Sequence, residues 1–162
     1  MALVESSLDG GVLTVTLNDV ERRNALSRDL LVELVDILDA ADTDDAVRVV
    51  VLTNAGTVFC AGANLREQSS PSTGGRTVDM AAVFARFRTS PKPYVGRIAG
   101  HCVAGGMGLA AAMDLSVAVD DAKFGFTEVR LGVAPAMISV LCLPKLREAD
   151  ARAAFLRGNR FL

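Results

Sequence analysis

The apolar run Val49-Val50-Val51-Leu52 constrains the fold more than any other feature, because it contains no polar or charged residue. Such a continuous run is typical of a strand that is buried on both faces. The segment before it has leucines at helical spacing, and Ser27 at its start can cap the helix. A helix of this kind would cover a sheet. The sequence therefore predicts an α/β fold.

The rest of the chain continues this alternation of strands and helices. The turn residues Asp9-Gly10-Gly11 before the alternating segment Val12–Leu17 predict an N-terminal hairpin with an earlier strand over 3–6. Residues 66–77 are polar, lack periodicity and predict a mobile loop. The remaining pattern predicts a short helix around Met80, Val83, Phe84 and Phe87, strands over 94–98 and 115–119, and helices over 105–113 and 148–156.

Length and composition exclude several classes of protein. A chain of 162 residues predicts one domain, here 1–162. A net charge of −2 and few aromatic residues argue against nucleic-acid binding. The longest uncharged stretch near the middle, 98–113, is shorter than the roughly 20 apolar residues of a membrane span. The N-terminus lacks the features of a secretory signal, so we expect a cytoplasmic protein that does not contact a membrane.

Three cysteines at wide spacing suit neither a disulfide framework nor a metal site. With a single histidine, His101, a structural zinc is not expected. We interpret Cys60 as a small buried hydrophobe, because no cationic residue adjoins it. We interpret His101 as a packed residue with a fixed tautomer rather than as a catalytic base.

Two glycine-containing turns, over 59–64 and 104–108, follow the predicted strands at Val49 and Tyr94. Glycine lets a backbone approach a ligand closely, and a helix that begins at Gly105 would present unpaired N–H groups there. Such donors can hold an oxyanion or a phosphate. Neither turn has the spacing of a dinucleotide or P-loop motif. Each turn, taken alone, is also compatible with glycines that serve only packing.

Glu128 is a carboxylate among apolar neighbours. If its side chain points inward, burial should raise its pKa, and it could then act as acid and base near neutral pH. The alternative is a solvated glutamate paired with Arg130 or Lys123.

Together these features resemble the enoyl-CoA hydratase/isomerase (crotonase) superfamily. The resemblance rests on Arg23-Asn24-Ala25-Leu26, on VLTNAGTVFCAGANL over 51–65, and on KPYVGRIAGHCVAGGMGLAAAMDLSVAVDDAKFGFTEVRLGVAP over 92–135. It implies a crotonase-type spiral of ββα units and an acyl-CoA thioester substrate without a separate cofactor. It also implies Glu128 as acid and base, and an oxyanion hole formed by the backbone amides of Ala63 and Gly105. The residues implied in substrate and CoA binding are Arg22, Arg23, Ala25, Ala61, Gly62, Ala63, Asn64, Leu65, Arg66, Gly105 and Gly108.

The chain departs from the family pattern in two ways. Two-acid hydratases have a glutamate three residues after the oxyanion glycine, where this chain has Gly108. Glu128 alone must then move both protons, and a glutamate restored at 108 is expected to speed hydration of simple substrates. The family also continues past LRGNRFL through helices that complete the acyl pocket and build the trimer, so most of that C-terminal helical region is expected to be missing.

Three functions remain open at this point. The leading interpretation is an enoyl-CoA hydratase, because TEVRLGVAPAMIS and GGMGL resemble bacterial hydratases of branched, methylglutaconyl-type CoA esters. The alternatives are an enoyl-CoA delta-isomerase that uses the same glutamate, and a catalytically weak acyl-CoA binding protein. The resemblance also predicts a homo-oligomer, either a trimer or a hexamer.

Overall fold

The computed structural model describes residues 2–64, 67 and 76–162. The predicted hairpin is confirmed: β1 (Val4–Asp9) pairs antiparallel with β2 (Val12–Leu17) along its whole length. The two turn residues Gly10 and Gly11 both have positive φ, at 55° and 87°. A two-residue turn that joins twisted strands favours this conformation, and glycine adopts it at little steric cost.

The larger sheet has five strands in the order β1-β2-β3-β5-β7. Strand β3 (Val49–Asn54) contains the apolar run and lies between β2 and β5 (Tyr94–Ile98), and β7 (Leu115–Ala118) pairs beyond β5. All pairings after the hairpin are parallel. The predicted α/β fold and its main strands are therefore confirmed.

Helix α1 (Arg28–Thr43) begins as predicted at Ser27, whose hydroxyl accepts a hydrogen bond from the Leu30 amide at 3.3 Å. Its leucine face is fully buried. Helix α2 (Met80–Thr89) buries Val83, Phe84 and Phe87 and begins at Asp79. Arg86 of α2 binds two carboxylates of α1, Asp39 and Asp42. Apolar burial and these ion pairs hold α2 against α1.

A second sheet of three parallel strands was not predicted. It consists of β4 (Val58–Cys60), β6 (His101–Val103) and β8 (Phe124–Gly125), in that order. Strands of two or three residues are too short to display the alternation that identifies a strand in sequence. The two glycine turns therefore follow β4 and β6, and not β3 and β5 as the sequence suggested.

Beyond β6, the described chain contains three α-helices and two 3-10 turns. Helix α3 (Gly105–Ala112) follows β6, a 3-10 turn spans Glu128–Leu131, and α4 (Ala136–Cys142) follows it. A second 3-10 turn (Leu143–Lys145) leads into α5 (Glu148–Arg157). The sequence predicted α3 and α5 but not α4, whose seven residues give little periodic signal. Most of the predicted loop over 66–77 lies outside the described residues. In the described part of the chain, no helix is long and apolar enough to cross a membrane.

Candidate active site

The loop after β4 and the start of α3 are in close contact. A β-carbon on Gly62 would lie 3.1 Å from the Gly105 nitrogen, and one on Gly105 would lie 3.4 Å from the Ala63 nitrogen. Gly62 also has a positive φ of 95°, a conformation that side chains strongly disfavour. The two glycine turns thus bring the backbone amides of Ala63 and Gly105 together.

These two amides are available to a ligand. Neither the Ala63 nor the Gly105 N–H has a hydrogen-bond acceptor among the described residues. Gly105 is the first residue of α3, where the amides of the first turn have no partner within the helix and the helix dipole is positive. Two neighbouring N–H groups at this point can stabilise negative charge that develops on an oxygen atom.

The segment Arg23-Asn24-Ala25-Leu26 fixes the loop that carries Ala63. The Ala61 amide donates to the Arg23 carbonyl at 3.1 Å, and the Leu26 amide donates to the Gly62 carbonyl at 2.8 Å. Leu26 and Ala63 also form a parallel bridge. Residues 23–26 therefore pair with the loop through their backbone and fix its path, and we call them the template segment.

Asn24 anchors that template in the core. Its side chain is fully buried, and its amide nitrogen donates to the carbonyls of Ala55 at 3.2 Å and Val58 at 2.7 Å. Arg23 and Asn24 both have positive φ, at 55° and 52°. Asparagine tolerates this region better than most residues, which explains its place at the turn.

A third constrained position, Ala104, directly precedes the free amide of Gly105. Ala104 has φ 51° and ψ −125°, which is rare for a residue with a β-carbon. Its amide donates to the Gly125 carbonyl at 2.9 Å, and its carbonyl accepts from the Met107 amide at 2.8 Å. These hydrogen bonds hold the strained turn that aims the first amide of α3.

Glu128 lies at the start of the 3-10 turn, with its side chain directed inward. Its Oε2 atom is buried and has no hydrogen-bond partner among the described residues. Burial raises the pKa of Glu128, and a hydrogen bond from its own amide offsets this only in part. The described residues include no ion pair of Glu128 with Arg130 or Lys123, so that alternative is wrong.

Glu128, Ala63 and Gly105 line one open cleft with a cavity volume of about 260 Å³. Of the predicted site residues, the cleft brings together Ala61, Ala63, Gly105 and Glu128. Apart from Glu128 and Thr127, its described walls are apolar or backbone. These further lining residues are Met80, Ala104, Leu131, Val133, Ala134, Pro135, Ala136, Met137 and Ile138.

Several predicted site residues do not line this cleft. Gly62 and Asn64 belong to the loop that carries Ala63. Arg22, Arg23 and Ala25 lie in or next to the template segment, and both arginine side chains are exposed. Arg22 contacts Asp19 at 3.4 Å. Leu65 and Arg66 lie outside the described residues.

The position of Gly108 corrects one expectation. A β-carbon there would lie 2.6 Å from Ile138 Cγ2 and 2.9 Å from Phe84 Cζ. The space that a glutamate at 108 would need is therefore filled by two buried side chains. The expected gain in hydration from restoring that glutamate does not fit this packing.

Sequence reasoning missed the walls contributed by α2 and α4. Met80 comes from the first, and Ala136, Met137 and Ile138 come from the second. Their sequence signal is only that of ordinary core residues, because an acyl-sized cleft and a protein core are lined by the same side chains. The apolar run after Pro135 was the one available hint.

The cysteines and the histidine are packed residues, as predicted from the sequence for Cys60 and His101. All three cysteines are free and buried, and burial raises the pKa of Cys60 and that of Cys142 to about 12 each. His101 Nδ1 accepts a hydrogen bond from the Lys123 amide at 3.2 Å, which leaves the ring proton on Nε2. Among the described residues, no three side chains of metal-binding type come together.

Comparison with known proteins gives the family. Residues 7–161 match the model of the enoyl-CoA hydratase/isomerase family. The chain belongs to this family. A crystal structure of an enoyl-CoA hydratase from Mycobacterium avium is 39% identical with a TM-score of 0.86, and the match covers 100% of this chain and 65% of that chain. The crotonase fold is therefore confirmed.

Two curated members of the enoyl-CoA hydratase/isomerase family illustrate its range. The 2,3-dehydroadipyl-CoA hydratase of Escherichia coli is 37% identical, over 76% of this chain and 49% of its own length. The 1,2-epoxyphenylacetyl-CoA isomerase of the same organism is 31% identical, over 99% of this chain and 64% of its own length. The chain thus spans about half to two thirds of the length of these relatives.

Proposed function

We propose that the cleft adds water to the double bond of a 2-enoyl-CoA thioester. One observation carries this proposal: Ala63 and Gly105, whose amides are free, and Glu128, whose carboxyl is directed inward, line the same apolar cleft. The amides are suited to the thioester oxygen, and the carboxyl is suited to proton transfer at the neighbouring carbons.

In the proposed reaction, Glu128 takes a proton from water while the water oxygen bonds to the β-carbon. The electrons of the double bond move towards the carbonyl, and the enolate oxygen accepts hydrogen bonds from the amides of Ala63 and Gly105. Glu128 then returns the proton to the α-carbon. The product is a 3-hydroxyacyl-CoA, and Glu128 ends in its starting state. A raised pKa suits a carboxyl that both accepts and donates a proton near neutral pH.

For the acyl group we propose an uncharged, apolar chain. Except for Glu128 and Thr127, the described lining residues are apolar or backbone. The branched glutaconyl-type esters suggested by the sequence carry a carboxylate, and no described lining residue would neutralise it. We propose that Arg22 and Arg23 bind the CoA portion, because their exposed cationic side chains flank the loop that leads into the cleft.

A second candidate is isomerisation of a 3-enoyl-CoA. It is favoured by the packing of Ile138 and Phe84 over Gly108, which leaves Glu128 as the only carboxylate among the described lining residues. One carboxylate suffices to remove a proton from the α-carbon and return it to the γ-carbon.

The deciding experiment follows the ultraviolet absorbance of the conjugated enoyl thioester. Loss of absorbance from crotonyl-CoA in the presence of the protein supports hydration. Gain of absorbance from a 3-enoyl-CoA, without loss from crotonyl-CoA, supports isomerisation. Binding of both esters without turnover would leave the third interpretation, an acyl-CoA binding protein, and would overturn both enzymatic proposals.

We also propose a homo-oligomer, as the sequence resemblance implies. The edge strand β7 exposes Leu115 and Val117, and Val119 after it is exposed on the same side of the chain. Burial of these side chains against another copy would remove apolar surface from water. Light scattering at micromolar concentration tests this, and a uniform monomer would contradict it.

A further inference from the structure

Two polar contacts hold α4 and the 3-10 turn that follows it against α3 and its C-cap. The Cys142 thiol donates to the Met107 carbonyl at 3.6 Å, and the Lys145 ammonium donates to the Met113 carbonyl at 2.9 Å. The second contact places a cation at the C-terminal end of α3, where the helix dipole favours one. Ile138 lies one turn before Cys142, and both side chains are buried on the same face of α4. Ile138 is thus held at a defined place over α3.

Gly108 is the residue of α3 that faces Ile138. The distance of 2.6 Å from its ideal β-carbon to Ile138 Cγ2 is shorter than real β-carbons show, and Phe84 Cζ is nearly as close. Any side chain at 108 would therefore push both neighbours away. The missing β-carbon of Gly108 leaves room for the side chains of Ile138 and Phe84 against this point of the helix.

The same Ile138 side chain lines the cleft with Gly105 and Glu128. Gly108 lies one helical turn from Gly105, which is about 4.5 Å along the helix axis. An acyl chain whose carbonyl oxygen meets the Gly105 amide and that runs along α3 would pass this wall. On that path, Ile138 lies beside the carbons that follow the carbonyl.

We propose that Ile138, seated on Gly108, determines the acyl-chain specificity of the cleft by limiting the width available beyond the reacting carbons. Short acyl groups fit, and long or bulky ones meet the Ile138 side chain. This inference rests on the proposed acyl-CoA site and names the residue that selects its substrates. It assigns Ile138 no part in proton transfer.

Direct binding separates this inference from the catalytic proposal. Butyryl-CoA and octanoyl-CoA are titrated calorimetrically into the unmodified protein and into I138V, I138A and V140A. Val140 is a matched control, because it lies on the same helix and is 69% exposed. Truncation of Ile138 should improve the affinity for octanoyl-CoA relative to butyryl-CoA, about tenfold in I138A and less in I138V. V140A should keep the original ratio.

The outcomes are distinct. If the unmodified protein binds neither ester, the proposed function fails. If it binds butyryl-CoA and the ratio is unchanged in I138V and I138A, the role of Ile138 is wrong. A second readout tests the pairing: G108A should lower the Tm of the original protein by roughly 5 °C or more, and by much less in the I138A background. Equal losses in both backgrounds would also contradict the proposal.

Discussion

Gly62 and Ala104 are so close that a β-carbon on residue 62 would lie 2.7 Å from the Ala104 β-carbon. This contact joins the loop after β4 to the turn before α3. Each of the two free amides lies next to it, at Ala63 and Gly105. The spacing of the amides thus depends on a contact that only glycine at 62 permits.

We predict that G62A abolishes turnover and destabilises the protein by about 2 kcal/mol or more, because the change adds a steric clash to a positive φ. G10A is the matched control. Gly10 also has a positive φ, at 55°, but nothing lies within 4 Å of its β-carbon position. Turnover and denaturant unfolding of both variants are measured. If G62A and G10A had equal turnover, the contact between residues 62 and 104 would not be needed for activity, and the prediction would be wrong.

E128Q keeps the size of the side chain but removes its titrating group. We expect turnover to fall by about 10²- to 10⁴-fold, the usual contribution of general acid–base catalysis. The affinity for a saturated acyl-CoA should change little. E148Q is the control, since Glu148 is an exposed glutamate on α5 and should keep full activity. Retained turnover in E128Q would remove Glu128 from the mechanism.

The same variant should change the pH dependence of stability. Because the folded-state pKa of Glu128 is raised above its ordinary value of 4.5, the folded protein holds this proton more tightly than the unfolded chain. This group therefore reduces stability as pH rises through 4.5 and up to the raised pKa. E128Q should gain in free energy of unfolding relative to the original protein at pH 8 and lose that advantage near pH 4. Denaturant unfolding at both values measures the difference, and a constant difference would contradict the burial of this carboxyl.

N24A removes the amide that bonds to the carbonyls of Ala55 and Val58. We expect a loss of about 2 to 4 kcal/mol, because two partly buried carbonyls lose their donor. Turnover should also fall, since the template segment positions the loop of Ala63. N18A is the control: the Asn18 amide donates to Glu5 at an exposed site, and its loss should cost less than about 1 kcal/mol. Equal losses would show that the buried amide is not an anchor.

The three cysteines should be unreactive in the folded protein. Burial raises their pKa values, and coulombic repulsion from Glu128 raises that of Cys142 further. We expect no reaction with Ellman's reagent at pH 8 and three equivalents after denaturation. D45C adds a thiol at an exposed turn and should give one rapid equivalent. Rapid labelling of a native cysteine would contradict its burial.

Much of the larger sheet and its helices could be predicted from sequence, because Val49–Asn54 and the leucines of α1 follow strong periodic patterns. The strands β4, β6 and β8 escaped prediction because they form through long-range pairing of very short segments. Their residues, such as Cys60 and Cys102, have no local pattern that marks a strand.

The candidate site was predicted unevenly for a related reason. The glycines and Glu128 stood out because turns and a carboxylate among apolar residues have few explanations. Ile138 did not stand out, because its importance arises only from its contact with Gly108, thirty residues earlier in the chain. A contact of this kind requires the fold before it can be recognised.

The parallel pairing of β4 with β6 limits which parts of the cleft can change when residues are substituted. Ala63 follows the first strand and Gly105 follows the second, and neighbouring strands lie about 4.8 Å apart in any sheet. The points from which the two loops start are thus set by backbone pairing, and the contact between Gly62 and Ala104 then sets the spacing of the two free amides. Substitutions in the surrounding walls can therefore change the shape of the cleft without moving the two strands that lead to these amides.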